Sequence, residues 1–101
     1  MGTLLVPSEE VAGMLEQDLE GRIEVMEDDG LRGTPGHEDA AAVAQLLREQ
    51  RMFPATLELS DAETRQAFIS LENVLNHADT ADLNAAMQHL QAQGYGRRDN
   101  P

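Results

Sequence analysis

Residues 60–75, SDAETRQAFISLENVL, carry the strongest local signal in the chain. Ser60 and Glu63 have the spacing of a capping box: the Ser hydroxyl accepts from the third helical amide while the Glu carboxylate reaches back. Behind the box, Ala67, Phe68, Leu71, Val74 and Leu75 recur at helical spacing, which predicts a helix over 61–77. Asp79 or Thr80 caps the next helix, predicted over 81–93, with Leu83, Ala86, Met87 and Leu90 on its apolar face. Gly94 suits the stop of that helix, and Tyr95 suits the hydrophobic partner of a Schellman motif. So few residues separate the two helices that they must form an αα-hairpin.

Upstream of the hairpin, Ala55-Thr56-Leu57-Glu58-Leu59 alternates, so 56–59 reads as a short strand or an extended connector. Pro54 bars continuation of a helix predicted over 38–51, where Ala40, Val43, Ala44 and Leu47 share a face and Thr34 or His37 supplies the cap. Residues 31–37, with Gly33, Pro35 and Gly36, predict a loop, the most mobile internal segment. Arg22–Glu27 alternates polar and apolar with β-branched residues, which predicts a strand over 22–27 closed by the turn Asp28-Asp29-Gly30. The first helix is predicted over 9–20. Ser8 caps it, Val11, Met14, Leu15 and Leu19 form its stripe, and Gly21 stops it. Residues 3–6 are a short apolar run closed by Pro7. The expected fold is mainly α (α+β), with four helices (9–20, 38–51, 61–77, 81–93) and one or two short strands (22–27, 56–59). It forms one compact domain over 1–96 with a frayed tail over 97–101.

Composition narrows the chemistry. The chain holds 19 acids against seven Arg and no Lys, for a net charge of −12. No Cys is present, which excludes disulfides, thiolate nucleophiles and Cys-ligated zinc. Leu, Ile, Val and Phe together number only 22, so the core is modest and aliphatic. Nothing in the sequence spans a membrane, and the N-terminus lacks the basic and apolar regions of a signal peptide, so a cytoplasmic protein is expected. Direct binding to nucleic acid or to an anionic membrane is opposed by charge.

Catalytic and metal-binding patterns are absent from the sequence. His37, His77 and His89 include no pair one helical turn apart, although His77 and His89 can meet across the final hairpin. A calcium loop opening at Asp28 would place Arg32 at a ligand position, where its charge opposes the cation. No nucleophile elbow or phosphate loop occurs. The expectation is a non-enzymatic protein with no cofactor and no metal.

The acids cluster. Residues 1–33 carry a net −7, and Glu16–Asp29 holds seven acids and one Arg. Glu9, Glu16 and Glu20 share a stripe on the first helix, and Glu24, Glu27, Asp28 and Asp29 extend it. Glu16 and Glu20 stand about 6 Å apart along a helix, roughly the spacing of neighbouring phosphates. Asp18 alone falls on the apolar side, where it either reaches water, faces a partner or pairs with Arg22. Glu9, Glu16, Asp18, Glu20, Glu24, Glu27, Asp28 and Asp29 are therefore the candidate partner-binding residues. The expected function is an inhibitor or binding protein whose acidic N-terminal surface docks on a basic partner, such as a nucleic-acid-binding nuclease or effector complex. Such proteins include nucleic-acid mimics of the phage anti-defence type and nuclease immunity proteins. The alternative is a homodimeric helical adaptor or secretion-chaperone-like assembly protein, in which the apolar faces of the last two helices pair between chains.

Overall fold

A computed structural model describes residues 1–96; the tail expected over 97–101 lies outside the described residues. The elements run β1 (Gly2–Val6), α1 (Glu9–Asp28), α2 (Pro35–Glu49), β2 (Ala55–Leu59), α3 (Asp61–Leu75) and α4 (Ala81–Ala92). The mainly α fold with four helices and a short strand pair is as the sequence predicts.

One strand is misplaced by the sequence reading. Residues 22–27 are not a strand but the last turns of α1, which continues through Gly21 to Asp28. Ile23 and Met26 follow Leu19 by four and seven residues, so they extend the helical stripe, and both pack against the core. Gly21 keeps a negative φ on the exposed side of the helix. It costs about 1 kcal/mol of helix propensity relative to Ala without ending the helix. The true stop is Gly30, at φ +77°. There the Leu31 amide donates to the Met26 carbonyl (2.8 Å) and the Gly30 amide to Glu27 (3.1 Å), a Schellman motif.

The strand paired with β2 is β1, whose apolar run has no evident partner in the sequence. The two are antiparallel, with Gly2 opposite Leu59, Leu4 opposite Leu57 and Val6 opposite Ala55. This register puts Leu4, Val6, Leu57 and Leu59 on one buried face.

The loop expected over 31–37 is shorter than predicted. Pro35 occupies the first helical position, where its missing amide costs nothing, so α2 begins there with Thr34 as N-cap residue. The remaining caps follow the sequence. Ser8 accepts from the Val11 amide, Thr80 accepts from Leu83, and the Ser60–Glu63 capping box is complete; each is worth about 1 kcal/mol. The Gly94–Tyr95 Schellman motif closes α4, with the Tyr95 amide on the Leu90 carbonyl (3.2 Å) and Gly94 on Gln91 (2.9 Å).

α1, α2 and α3 pack against one another, each touching the other two, while α4 lies against β1 and α3. Val11, Leu15 and Leu19 of α1 meet Val43 and Leu47 of α2 and Leu71 of α3 in one aliphatic core. Leu83 and Leu90 extend that core to the sheet end of the molecule. Burying each such side chain contributes about 1.5–3 kcal/mol, so this stripe holds α1 in place and decides which of its faces stays open.

Candidate interaction surface

The eight candidate acids divide into two sets according to what they meet in the chain. Glu16 and Glu20 both turn toward α2, where Arg48 places Nε 3.1 Å from the Glu16 carboxylate and Nη2 3.8 Å from that of Glu20. The two charges with phosphate-like spacing thus share one guanidinium. Glu27 is held by the loop that follows it and by the first turn of α2. The Gly33 amide donates to His37 Nδ1, which fixes the proton on Nε2, and Nε2 donates to the Glu27 carboxylate at 2.9 Å. That hydrogen bond, with Arg32 beside it at 3.5 Å, holds the Glu27 carboxyl below the ordinary carboxylate range.

Asp18 faces α3 rather than the open surface. Its Oδ2 accepts from Arg22 Nε and from Asn73 Nδ2, each at 3.3 Å. The Arg22 guanidinium then reaches farther along α3. It donates to the Gln66 side chain (2.6 Å), the Gln66 carbonyl (2.8 Å) and the Ser70 hydroxyl (2.6 Å). Both side chains of the pair are only 22% exposed, and Ser70 is fully buried. The ion pair with Arg22 that the sequence spacing allowed is therefore a polar seam between α1 and α3. Its purpose is docking of those helices, since a half-buried charge with several fixed donors orients its neighbours as well as attracting them.

Glu9, Glu24, Asp28 and Asp29 form the second set. All four are exposed, and none makes an ion pair among the described residues. Glu10, which the sequence reading placed only in the first turn, shares their state. Glu9 and Glu10 sit at the positive end of the α1 dipole, which favours them. Asp28 and Asp29 sit at the negative end, where no basic residue occupies the last turn. Carboxylates there are opposed by the helix itself, by about 0.3–1 kcal/mol each. The C-terminal end of α1 is therefore a negative region, made by Glu24, Asp28 and Asp29, whose charges make no ion pair among the described residues.

Beside this region lies an open groove of about 710 Å³ between α1 and the end of α3. Met14, Val25 and Met26 form its α1 wall, and Val74 and Ala78 the other. The Asp18–Arg22–Asn73 seam borders it. Val25 is 60% exposed, unusual for a branched apolar residue in a chain this short of them. The sequence alone could not reveal the groove, because Val25 and Met26 belonged to the expected strand.

The histidines go to separate places. His37 holds Glu27, His77 lines the groove, and His89 Nε2 lies 2.8 Å from the Thr3 hydroxyl. No group of three or more His, Asp or Glu side chains among the described residues is placed to hold a metal. In the final hairpin Ala67 and Leu71 of α3 and Leu83, Ala86, Met87 and Leu90 of α4 are buried within the chain, while Phe68, Val74 and Leu75 are half-buried. No helix among the described residues is long and apolar enough to cross a membrane. No family model matches the chain, and no curated protein or solved structure matches it.

Proposed function

We propose that this protein is a non-enzymatic binding protein that docks the C-terminal end and outer face of α1 on a basic protein. The observation that carries this reading is the uncompensated negative region at Glu24, Asp28 and Asp29. None of these charges makes an ion pair among the described residues, and the last two also oppose the helix dipole. A cationic partner supplies what the fold leaves out. A net charge of −12 also speeds encounter with such a partner and makes the rate sensitive to salt. A groove built for nucleic acid is the natural target on the partner, which keeps inhibition of a nucleic-acid-binding protein as the biological form of the proposal. Glu16 and Glu20 contribute less than their spacing suggests, because Arg48 neutralises part of their field.

The test is capture of partners from the native host at low and high salt, with the wild type and the triple variant Glu24→Lys, Asp28→Lys, Asp29→Lys. A basic protein retained at low salt, released by high salt and lost with the triple variant is the expected result. Recovery of no basic protein, or retention indifferent to both salt and charge reversal, overturns the proposal. Circular dichroism of the triple variant should show an intact fold, since none of the three side chains makes an ion pair among the described residues.

A further inference from the structure

The groove between α1 and α3 is apolar and open, and its surroundings are negative. Glu24 and Asp28 lie beside Val25 on α1, and Asp79 follows Ala78 of the other wall; all three are exposed. Among the described residues Arg22 is the only Arg on its lining, and that guanidinium is committed to Asp18, Gln66 and Ser70. Glu24 and Asp28 are thus the exposed charges next to the apolar floor on the α1 side, and neither makes an ion pair among the described residues.

Three features select the occupant. First, both walls are helices, and the floor offers no strand edge. An extended segment laid there would leave its own amides and carbonyls over Met14, Val25 and Val74 without partners, whereas a helix satisfies its backbone internally. Second, Met14 and Val25 are eleven residues apart on α1. This spacing is about 16 Å of helix, room for anchors at i, i+4 and i+7 of an incoming helix, which span about 10 Å. Third, Gly21 lies at the middle of the groove, and a Cβ built on it would meet no heavy atom within 4 Å. The absent side chain leaves room for another backbone to approach α1 closely. A second copy of this chain is disfavoured, because it would bring the same acidic rim against this one.

We propose that this groove seats one amphipathic helix of the basic partner. Its apolar residues rest on Met14, Val25 and Val74, and its Lys or Arg residues meet Glu24 and Asp28. The inference rests on the basic-partner reading above and adds to it a binding mode with an apolar anchor.

The test uses the full chain and two 15-residue peptides of identical Leu and Lys composition. One places Leu at i, i+4, i+7 and i+11; the other is shuffled so that no two Leu share a helical face. Calorimetry and amide chemical shifts are read for the wild type, Gly21→Leu, Gly13→Leu and the double variant Glu24→Lys, Asp28→Lys. Gly13 lies on the exposed side of α1 outside the groove, and a Cβ added there would likewise meet nothing within 4 Å. The patterned peptide is expected to bind at least tenfold more tightly than the shuffled one and to shift amides around residues 14–26 and 73–78. Gly21→Leu is expected to weaken it at least tenfold, and Gly13→Leu to leave it unchanged. Equal binding of both peptides, weakened by charge reversal but not by Gly21→Leu, overturns the groove inference and leaves the acidic-surface reading standing. Absence of binding by either peptide at low salt overturns both. Self-association of the wild type that Gly21→Leu abolishes makes a second copy the occupant and also overturns the inference. Thermal unfolding of Gly21→Leu at or above the wild-type temperature shows that lost binding is not lost folding.

Discussion

At the sheet end of the molecule polar side chains are committed to one another; on the outer face of α1 they are committed to solvent. Gln93 of the α4 terminus donates from its amide to the Thr3 carbonyl (2.8 Å) and accepts from the Thr3 amide (2.7 Å), pairing with β1 as another strand would. Tyr95 donates to Asp61 at 2.5 Å, and His89 meets the Thr3 hydroxyl. On α1, by contrast, Glu24, Asp28 and Asp29 have no ionic partner among the described residues, and Gly13 and Gly21 stand with nothing near them. Both regions are surface, and both are rich in polar residues. The difference separates polar groups that complete a fold from polar groups the fold does not need.

The comparison can be tested most severely across α1 itself. Arg22→Leu leaves the Asp18 carboxylate with only the Asn73 donor and removes the donors to Gln66 and Ser70, so it is expected to cost about 2–4 kcal/mol in urea unfolding. Glu24→Leu, two residues away but facing outward, is expected to stay within about 0.5 kcal/mol. Comparable losses from the two would erase the distinction between the faces.

One substitution made at two glycines should give opposite signs. At Gly2 a Cβ would stand 2.7 Å from the Tyr95 hydroxyl and 2.8 Å from the buried Thr64 hydroxyl. Gly2→Ala is therefore expected to lower stability by about 1–2 kcal/mol. Gly21→Ala, in an open helical position, is expected to raise it by about 0.5–1 kcal/mol. Thermal unfolding of the two variants side by side reads the contrast directly.

A smaller effect comes from the helix dipole. Asp28→Arg replaces an opposed charge with a favoured one, and a gain of about 0.3–1 kcal/mol is expected at low salt, fading as salt is added. A loss would mean that Asp28 has a role inside the fold. The smallest effect belongs to the sheet end. The Tyr95 hydrogen bond holds the Asp61 carboxyl below its ordinary 3.8 and pushes the Tyr95 phenol above 10.0. The stability from Asp61 is thus present above pH about 4 and is lost as pH falls through the depressed value. Tyr95→Phe should be less stable than the wild type near neutrality, with the margin closing in acid. A margin independent of pH below about 4 would show that the hydrogen bond is not coupled to folding.

How much of this was legible depended on the range of the forces involved. The α3 capping box and the Gly94–Tyr95 motif are local and readable in the sequence; the α4 cap was readable to within one residue, Asp79 or Thr80, and Thr80 takes it. The alternation of Arg22–Glu27 fits a strand and an amphipathic helix about equally well. Only the pull of the core on Ile23 and Met26 decides between them. β1 was illegible as a strand because its pairing partner lies on the far side of two helices. The acids were visible as a cluster, but their division was not. Arg48 reaches Glu16 and Glu20 from another helix, and Arg22 turns inward to α3. The Asp18–Arg22 pair was within reach of sequence spacing; its extension to Gln66, Ser70 and Asn73 was not.

The side-chain clasp of Gln93 on Thr3 joins residues 90 positions apart, and it closes an edge that β2 leaves open on the other side. It also bears on the order of folding. β1 pairs with β2 on one edge and with the end of α4 on the other, so both of its partners are distant in sequence. Fraying at the last turn of α4 correspondingly loosens the Thr3 clasp and the Tyr95 contact together. Hydrogen exchange at the Thr3 amide is expected to rise when Gln93 is replaced by Ala, since that amide has its acceptor on the Gln93 side chain.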